Sequence, residues 1–136
     1  MNPAHIVLIE DNPADVLLIE MALKEKGIPC QLTRFATGEE AVRVLCGSEG
    51  ADILRPDAIL LDLNTPRSDG FQVLIKLKQF PRFADVPIAL LTSSQATSDK
   101  HRSRLQGTRY IEKPSQLEEF LATIGQAVKE MLHAVK

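Results

Sequence analysis

Short apolar runs recur along the chain and alternate with longer segments of helical periodicity. The runs are rich in Ile, Val and Leu, and three of them are apolar at consecutive positions, which is typical of strands buried on both faces of a parallel sheet. The alternation predicts a (βα)5 domain, with helices on both faces of the sheet. The predicted strands are His5–Glu10, Cys30–Arg34, Asp57–Asp62, Val86–Thr92 and Arg109–Glu112.

Signals for helix starts and ends lie between these runs. Gly27 predicts the end of the first helix, and Pro81 predicts the end of the third. Residues 97–106 contain a single large apolar residue, Leu105, so a helix there would be poorly anchored. Four helix starts are predicted by an Asn-Pro cap, two capping boxes and an Asp-Gly pair: Asn12 with Pro13, Thr37 with Glu40, Ser115 with Glu118, and Asp69 with Gly70.

The composition fits one folded domain over residues 1–136, without a linker or an output module. Hydrophobic residues make up 44% of the chain and charged residues 25%, which are ordinary values for a globular protein with one core. A net charge of -2 gives no overall attraction to nucleic acids or anionic lipids. The apolar runs are far shorter than the roughly 20 residues of a membrane-spanning helix, and the N-terminus lacks the basic region of a secretory signal. We therefore expect a cytoplasmic protein that binds neither membrane nor nucleic acid.

Polar residues follow the predicted strands at the carboxyl edge of the sheet. In open parallel sheets, ligands bind at this edge. Three are carboxylates, two carry hydroxyls and one is an amine: Glu10, Asp11, Asp62, Thr92, Ser93 and Lys113. Carboxylates held close together repel one another, and either partial protonation or a divalent cation relieves this repulsion. A ligand set made only of oxygen atoms, with no suitable His or Cys nearby, favours Mg2+ over Zn2+.

The same residues are suited to phosphoryl transfer. Asp62, at the end of the central strand, can attack a phosphorus centre to give an acyl phosphate. Lys113 would hold one phosphoryl oxygen, and Thr92 could donate a hydrogen bond to another. Because phosphoryl transfer depends mainly on positioning and charge neutralisation, this small set of groups suffices.

Five motifs of the chain resemble, in order and approximate spacing, those of the receiver domain of two-component response regulators. They are Ile9-Glu10-Asp11-Asn12, Leu61-Asp62-Leu63-Asn64-Thr65-Pro66, Asp69-Gly70, Leu91-Thr92-Ser93 and Tyr110-Ile111-Glu112-Lys113-Pro114. The match extends over nearly the whole chain, and Glu10–Glu20 is similar to stand-alone receivers found with bacterial phytochrome-type sensor kinases. The resemblance implies a flavodoxin-like α/β fold, a doubly wound, five-stranded parallel sheet with the strand order 2-1-3-4-5.

The resemblance also implies a phosphorylation site and its cofactor. Asp62 would accept the phosphoryl group, and Mg2+ would be the cofactor. Asp11, Asp62 and the backbone carbonyl of Asn64 would bind the ion, with Glu10 acting through a water molecule. The protein would then be a stand-alone response regulator and not an enzyme, apart from self-catalysed phosphorylation and dephosphorylation.

Further roles follow from the same resemblance. Thr92, Lys113 and the backbone of Ser93 would contact the phosphoryl group, and the Lys113-Pro114 peptide bond would be cis. Thr92 and Tyr110 would form a switch, in which the hydroxyl moves towards the phosphate and the aromatic ring turns inward. The segment before Tyr110 is one residue shorter than is usual in the family.

The implied phosphodonor is a sensor histidine kinase of phytochrome type, and the other implied partners are a downstream protein target and a second copy in a homodimer. Two alternatives remain open. The chain could be a small Mg2+-dependent phosphohydrolase with an aspartyl-phosphate intermediate, although Asn64 stands where a haloacid-dehalogenase-type phosphatase has its second carboxylate. It could also be an adaptor that keeps the fold without phosphorylation, which the intact acidic set disfavours.

One basic cluster lies in the second half of the chain. It is interpreted either as a solvated helix face or as a docking surface for an acidic protein or a polynucleotide. Its members are Lys100, His101, Arg102, Arg104 and Arg109.

Overall fold

Parallel strands form a single sheet in the computed structural model of the chain, which describes residues 3–47, 56–63, 70–92 and 108–134. The strands are β1 (Ala4–Ile9), β2 (Cys30–Phe35), β3 (Ala58–Asp62), β4 (Ile88–Thr92) and β5 (Arg109–Glu112). Their order in the sheet is β2-β1-β3-β4-β5. This order confirms the doubly wound α/β fold that the resemblance implies.

Burial explains why the central strands read as continuous apolar runs. Every residue of β3 and β4 is buried, because helices cover both faces of the sheet. In β1, Ile6 and Leu8 belong to one apolar cluster, whereas Val7 and Ile9 belong to another. Successive side chains of a strand point to opposite faces, so the core consists of two layers, one on each side of the sheet.

The described helices lie on both faces of the sheet. They are α1 (Pro13–Glu25), α2 (Gly38–Cys46), α3 (Gly70–Gln79), a 3-10 helix (Pro81–Phe83) and α4 (Leu117–Ala134). α1 and α4 pack on one face, and α2 and α3 pack on the other. None of these helices has the length and apolar character that crossing a membrane requires. The helix predicted over residues 97–106 lies outside the described residues.

Both ends of α1 follow the sequence signals. The Asn12 side chain accepts a hydrogen bond from Ala14 N–H at 2.9 Å. Gly27 has a φ of 69°, and its N–H and that of the next residue donate to carbonyls of the last turn, both at 3.0 Å. Glycine adopts this left-handed conformation without a steric penalty. The Asn12 cap fixes where α1 begins, and thereby the end of the loop that carries Glu10 and Asp11.

The starts of α2 and α4 agree with the sequence to different degrees. Thr37 Oγ1 accepts from Glu40 N–H at 3.1 Å, which confirms the start of α2. The predicted start at Ser115 is wrong, because α4 begins at Leu117 and the carbonyl of Gln116 accepts the first helical hydrogen bond. The cap is the residue whose carbonyl accepts that bond, so a serine one position earlier stands outside it.

Candidate functional site

Parallel pairing brings the carboxyl ends of β1, β3, β4 and β5 to one edge of the sheet. Ile9 of β1 pairs with Leu61 of β3, and Thr92 of β4 pairs with Glu112 of β5. The residues that follow these strand ends therefore become neighbours, although they are far apart in the sequence. The edge collects five of the predicted site residues, namely Glu10, Asp11, Asp62, Thr92 and Lys113.

Three carboxyl groups form a cluster at this edge. Glu10, Asp11 and Asp62 each offer an oxygen atom, and these atoms lie within 4.8 Å of one another. Glu10 and Asp62 are 1% and 2% exposed, whereas Asp11 is partly exposed and opens the cluster to solvent. Small hard cations prefer carboxylate and carbonyl oxygens, and Mg2+ usually takes only one or two carboxylates. The residues present therefore fit Mg2+.

The ammonium group of Lys113 is hydrogen-bonded to three carboxylates. Its Nζ donates to Glu10 Oε1, Asp15 Oδ2 and Asp62 Oδ2, each at 2.9 Å. A lysine ammonium has three donors, so all of them are used. The Lys113 side chain is 11% exposed, and its charge is therefore balanced mainly by these anions and not by water. The ammonium group is thus hydrogen-bonded to Asp62, the residue predicted to accept the phosphoryl group.

Burial and mutual proximity change the protonation of this cluster. Burial raises the pKa of the Glu10 carboxyl, Asp62 raises it further, and Lys113 offsets part of the rise, which leaves a pKa of about 8. Burial lowers the pKa of Lys113, but the hydrogen bonds to Glu10, Asp15 and Asp62 outweigh it and raise the pKa above its ordinary value. The lysine therefore stays charged at neutral pH, and the Glu10 carboxyl takes up a proton more readily than an ordinary glutamate.

Hydrogen bonds from Asn12 and Arg34 hold the segment that carries Glu10 and Asp11. Asn12 N–H donates to Glu10 Oε2 at 3.3 Å. Arg34 of β2 donates from Nε to the carbonyl oxygen of Glu10 and from Nη2 to the carbonyl oxygen of Asp11, both at 3.0 Å. The guanidinium group joins two consecutive carbonyls and so sets how this segment presents its carboxylates.

The sequence signals do not single out Asp15 or Arg34, although both contact the site. Asp15 lies in the first turn of the helix that follows Asp11, and this order would have indicated that it lies near the same edge of the sheet. Arg34 stands near the end of β2, which pairs with β1, and a basic residue there could have been matched with the acids after β1. Neither signal is specific by itself.

The other predicted residues are placed as follows. Thr92 is 1% exposed at the end of β4, and its carbonyl accepts a hydrogen bond from Lys113 N–H at 2.7 Å. Tyr110 lies in β5 and is half-buried. Asn64 and Ser93 lie outside the described residues, so their contacts stay predictions.

The Lys113-Pro114 peptide bond is trans, and the expectation of a cis bond is therefore wrong. A trans bond is the ordinary state of an X–Pro peptide. Lys113 reaches Asp62 at 2.9 Å with this bond in place.

Of the basic cluster, the structure describes only Arg109. Its Nη1 lies 2.8 Å from Glu130 Oε1 of α4, in an ion pair that is largely open to solvent. Gln126 also donates to Glu130, at 3.0 Å, and the bonds from Gln126 and Arg109 lower the pKa of the Glu130 carboxyl. For Arg109 the contacts therefore favour a solvated surface pair within the domain.

A doubly wound sheet with a buried aspartate, two further acids and a lysine at its carboxyl edge defines a flavodoxin-like domain with an acidic site for phosphate chemistry. The chain belongs to the response regulator receiver domain family, whose model matches residues 6–125. Proteins of this family are the phosphoacceptors of two-component signalling, and this chain is a receiver of that kind.

Similar proteins agree with this assignment. The chain is 32% identical over 130 residues to the probable methanogenesis regulatory protein FilR2 of Methanothrix harundinacea (strain 6Ac), which covers 95% of this chain and 83% of FilR2. It is 38% identical over 98 residues to response regulator Rcp1 of Synechocystis sp. (strain ATCC 27184 / PCC 6803 / Kazusa), which covers 71% of this chain and 67% of Rcp1.

Solved structures show the same similarity in three dimensions. The phosphorylated cyanobacterial phytochrome response regulator RcpA has a TM-score of 0.87 and 32% identity, with 99% of this chain and 97% of that chain covered. The Mn2+-bound form of Rcp1 also has a TM-score of 0.87 and 32% identity, with 98% of each chain covered. Both solved relatives are response regulators, as the family match indicates.

Proposed function

We propose that this protein is a response regulator that accepts a phosphoryl group on Asp62 in a Mg2+-dependent reaction and signals through altered contacts with other proteins. The observation that carries the proposal is the position of Asp62. Its carboxylate is buried at the end of β3, within 4.8 Å of two further carboxylates and 2.9 Å from Lys113 Nζ. The family match to residues 6–125 supports a single receiver domain.

Asp11, Asp62 and the backbone carbonyl of Asn64 would hold Mg2+, with Glu10 of the same acidic cluster acting through a water molecule. When bound, the ion would neutralise the negative charge that gathers as carboxylate and phosphoryl oxygens approach each other. Burial of Glu10 and Asp62 beside like charges favours a cation in the cluster. The solved Mn2+-bound form of Rcp1 supports a divalent cation in a similar fold.

Asp62 acts as the nucleophile. One carboxylate oxygen attacks phosphorus and forms the new P–O bond, while the donor leaves with the electron pair of the bond that breaks. Lys113, which already contacts Asp62, donates to a phosphoryl oxygen and compensates its charge. Thr92, buried at the end of the adjacent strand, donates its hydroxyl to a second phosphoryl oxygen, and the Ser93 backbone is a further donor.

Thr92 and Tyr110 form the proposed switch. The Thr92 hydroxyl moves towards the phosphoryl group, the Tyr110 ring turns inward, and the surface made by β5 and α4 changes shape. A groove of about 350 Å3 lies beside Tyr110 on this surface. A downstream protein that binds there would convert a local change of charge into a change of association.

The proposed phosphodonor is a sensor histidine kinase, and the likeness to the phytochrome response regulator RcpA favours a kinase of phytochrome type. The acyl phosphate is later hydrolysed, so each signalling event consumes one phosphoryl group. The protein is then a stoichiometric acceptor and not a turnover enzyme. A phosphohydrolase would instead release phosphate from small phosphate esters at sustained turnover.

The test is the intact mass of the protein after incubation with acetyl phosphate and Mg2+. The wild type should gain one phosphoryl group, a chelator should prevent the gain, and Asp62→Asn should abolish it because an amide is a far weaker nucleophile. Asp57→Asn is the matched control, since it makes the same change before the start of β3, where Asp57 accepts from His5 N–H at 2.8 Å.

Two outcomes would contradict the proposal. One is a wild type that gains no phosphoryl group, and the other is an equal gain by Asp62→Asn. Sustained release of phosphate from many metabolites would favour the phosphohydrolase.

A further inference from the structure

One of the three carboxylates on Lys113 lies outside the proposed metal site. Glu10 and Asp62 belong to the acidic cluster, whereas Asp15 stands in the first turn of α1 and is not a member. The Asp15 side chain is 24% exposed, compared with 1% for Glu10 and 3% for Asp62. Asp15 is therefore the acceptor that stays available to Lys113 when a cation occupies the cluster.

A cation in the cluster competes with the ammonium for the same oxygen atoms. Two of the three donors of Lys113 are directed at Glu10 and Asp62, each over 2.9 Å. A divalent cation held in the cluster would repel the ammonium and would draw on lone pairs that now accept its hydrogen bonds. A largely buried ammonium that loses its acceptors is costly. Asp15 supplies an anion for which the two cations do not compete.

We propose that Asp15 is a positioning residue that holds Lys113 at the edge of the cluster while Mg2+ occupies the cluster. This inference rests on the proposed function and adds a residue that the sequence motifs do not assign to the site. The Asn12 cap fixes the first turn of α1, so the Asp15 carboxylate has a defined place. The incoming phosphoryl group then meets an ammonium that is already in position.

Asp15 also has a simpler role in stabilising α1, and the test must distinguish this role from the positioning of Lys113. A carboxylate in the first turn of a helix interacts favourably with the helix dipole. That role would change the stability of the fold, and it would leave the coupling between Asp15, Lys113 and Mg2+ at zero.

The test is a double-mutant cycle on Mg2+ affinity, measured by calorimetric titration of the folded full chain. Asp15→Asn keeps the shape of the side chain and removes its charge. In the wild-type background it should weaken Mg2+ binding about three- to tenfold, a range expected for residues in contact. In the Lys113→Met background it should weaken binding less than about twofold, because only a screened charge effect remains.

Three further variants keep the test interpretable. Glu25→Gln removes one negative charge from an exposed position of the same helix and should leave Mg2+ affinity unchanged. Asp15→Glu restores the carboxylate and should recover most of the affinity. Lys113→Gln replaces Lys113→Met if the apolar variant does not fold.

The outcomes distinguish this inference from the proposed function. An equal loss of affinity with and without the lysine would overturn the inference, because the effect would then be charge at a distance. No loss in the wild-type background would overturn it as well. In both cases Asp62 could still be the phosphoacceptor. A wild type that binds no Mg2+ would contradict the proposed function, and the inference with it.

Discussion

At the scale of single residues, the site holds more negative charge than its one lysine can neutralise. Glu10, Asp15 and Asp62 all contact the Lys113 ammonium, and Asp11 adds a further carboxylate to the cluster. Burial and the neighbouring Asp62 raise the pKa of Glu10 to about 8 against the opposing effect of Lys113, so this carboxyl group takes up a proton more readily than an ordinary glutamate. A proton on Glu10 and Mg2+ in the cluster therefore disfavour each other.

This competition predicts that Mg2+ affinity rises with pH and becomes constant above about 8. The sign follows because Glu10 keeps its proton below that pKa, and only the ionised carboxylate adds the negative charge that favours the cation. Calorimetry in buffers of different ionisation enthalpy should show proton release on binding. Glu10→Gln cannot titrate and should bind Mg2+ more weakly, with a flatter pH profile. A wild-type affinity that is constant from about pH 6 to 9 would be incompatible with this competition.

At the scale of elements, the loop between β1 and α1 is held from two sides. The Asn12 side chain caps α1 at one end of the loop. Arg34 of β2 binds the carbonyls of Glu10 and Asp11 at the other end. A backbone fixed in this way presents its carboxylates without a rearrangement on binding, which is how outer groups support metal ligands.

Arg34→Gln should therefore weaken Mg2+ binding about tenfold, as expected for groups that orient metal ligands. An argument from charge alone predicts tighter Mg2+ binding by this variant, because the loss of a positive charge beside an acidic cluster favours a cation. Arg34→Lys keeps the charge but lacks the planar fork, so it should weaken binding too. Titration calorimetry measures both variants. Tighter binding by Arg34→Gln would show that charge outweighs the backbone contacts.

The elements are predictable from the sequence to within one or two residues at the strand ends, because buried strands and helix caps are local patterns. The start of α4 is misplaced because Ser115 matches a capping pattern while the hydrogen bonds begin one residue later. Asp15 and Arg34 escape prediction for another reason. Their contacts join residues 98 and 24 positions apart, and such contacts depend on how whole elements are placed against each other.

At the scale of the whole molecule, the site connects elements from across the sheet. Glu10 and Asp11 follow β1, and Asp62 is the last residue of β3. Lys113 follows β5, and Asp15 belongs to α1. The polar strand ends could be predicted to meet, since parallel strands share one edge. Periodicity alone does not give the strand order, which the resemblance to receivers supplied and the structure confirms.

Because the unfolded chain lacks this cluster, Mg2+ should stabilise the fold. At Mg2+ concentrations of about 100 times Kd, the free energy of unfolding should rise by about 2.7 kcal/mol. Asp11→Ala should remove this gain, whereas Asp57→Ala should keep it even if its own midpoint shifts. Thermal unfolding with Mg2+ and with chelator measures the difference. A wild-type midpoint that does not respond to Mg2+ would count against the metal site.

The most direct test of the central claim is the position of the acyl phosphate in the chain. Borohydride reduces an acyl phosphate to an alcohol, so a phosphorylated aspartate becomes homoserine and can be located by peptide mass spectrometry. After treatment with acetyl phosphate and Mg2+, we predict homoserine in place of Asp62 and at no other aspartate. Homoserine in place of Asp11 or Asp15, or an unmodified Asp62 in protein that has gained a phosphoryl group, would contradict the claim.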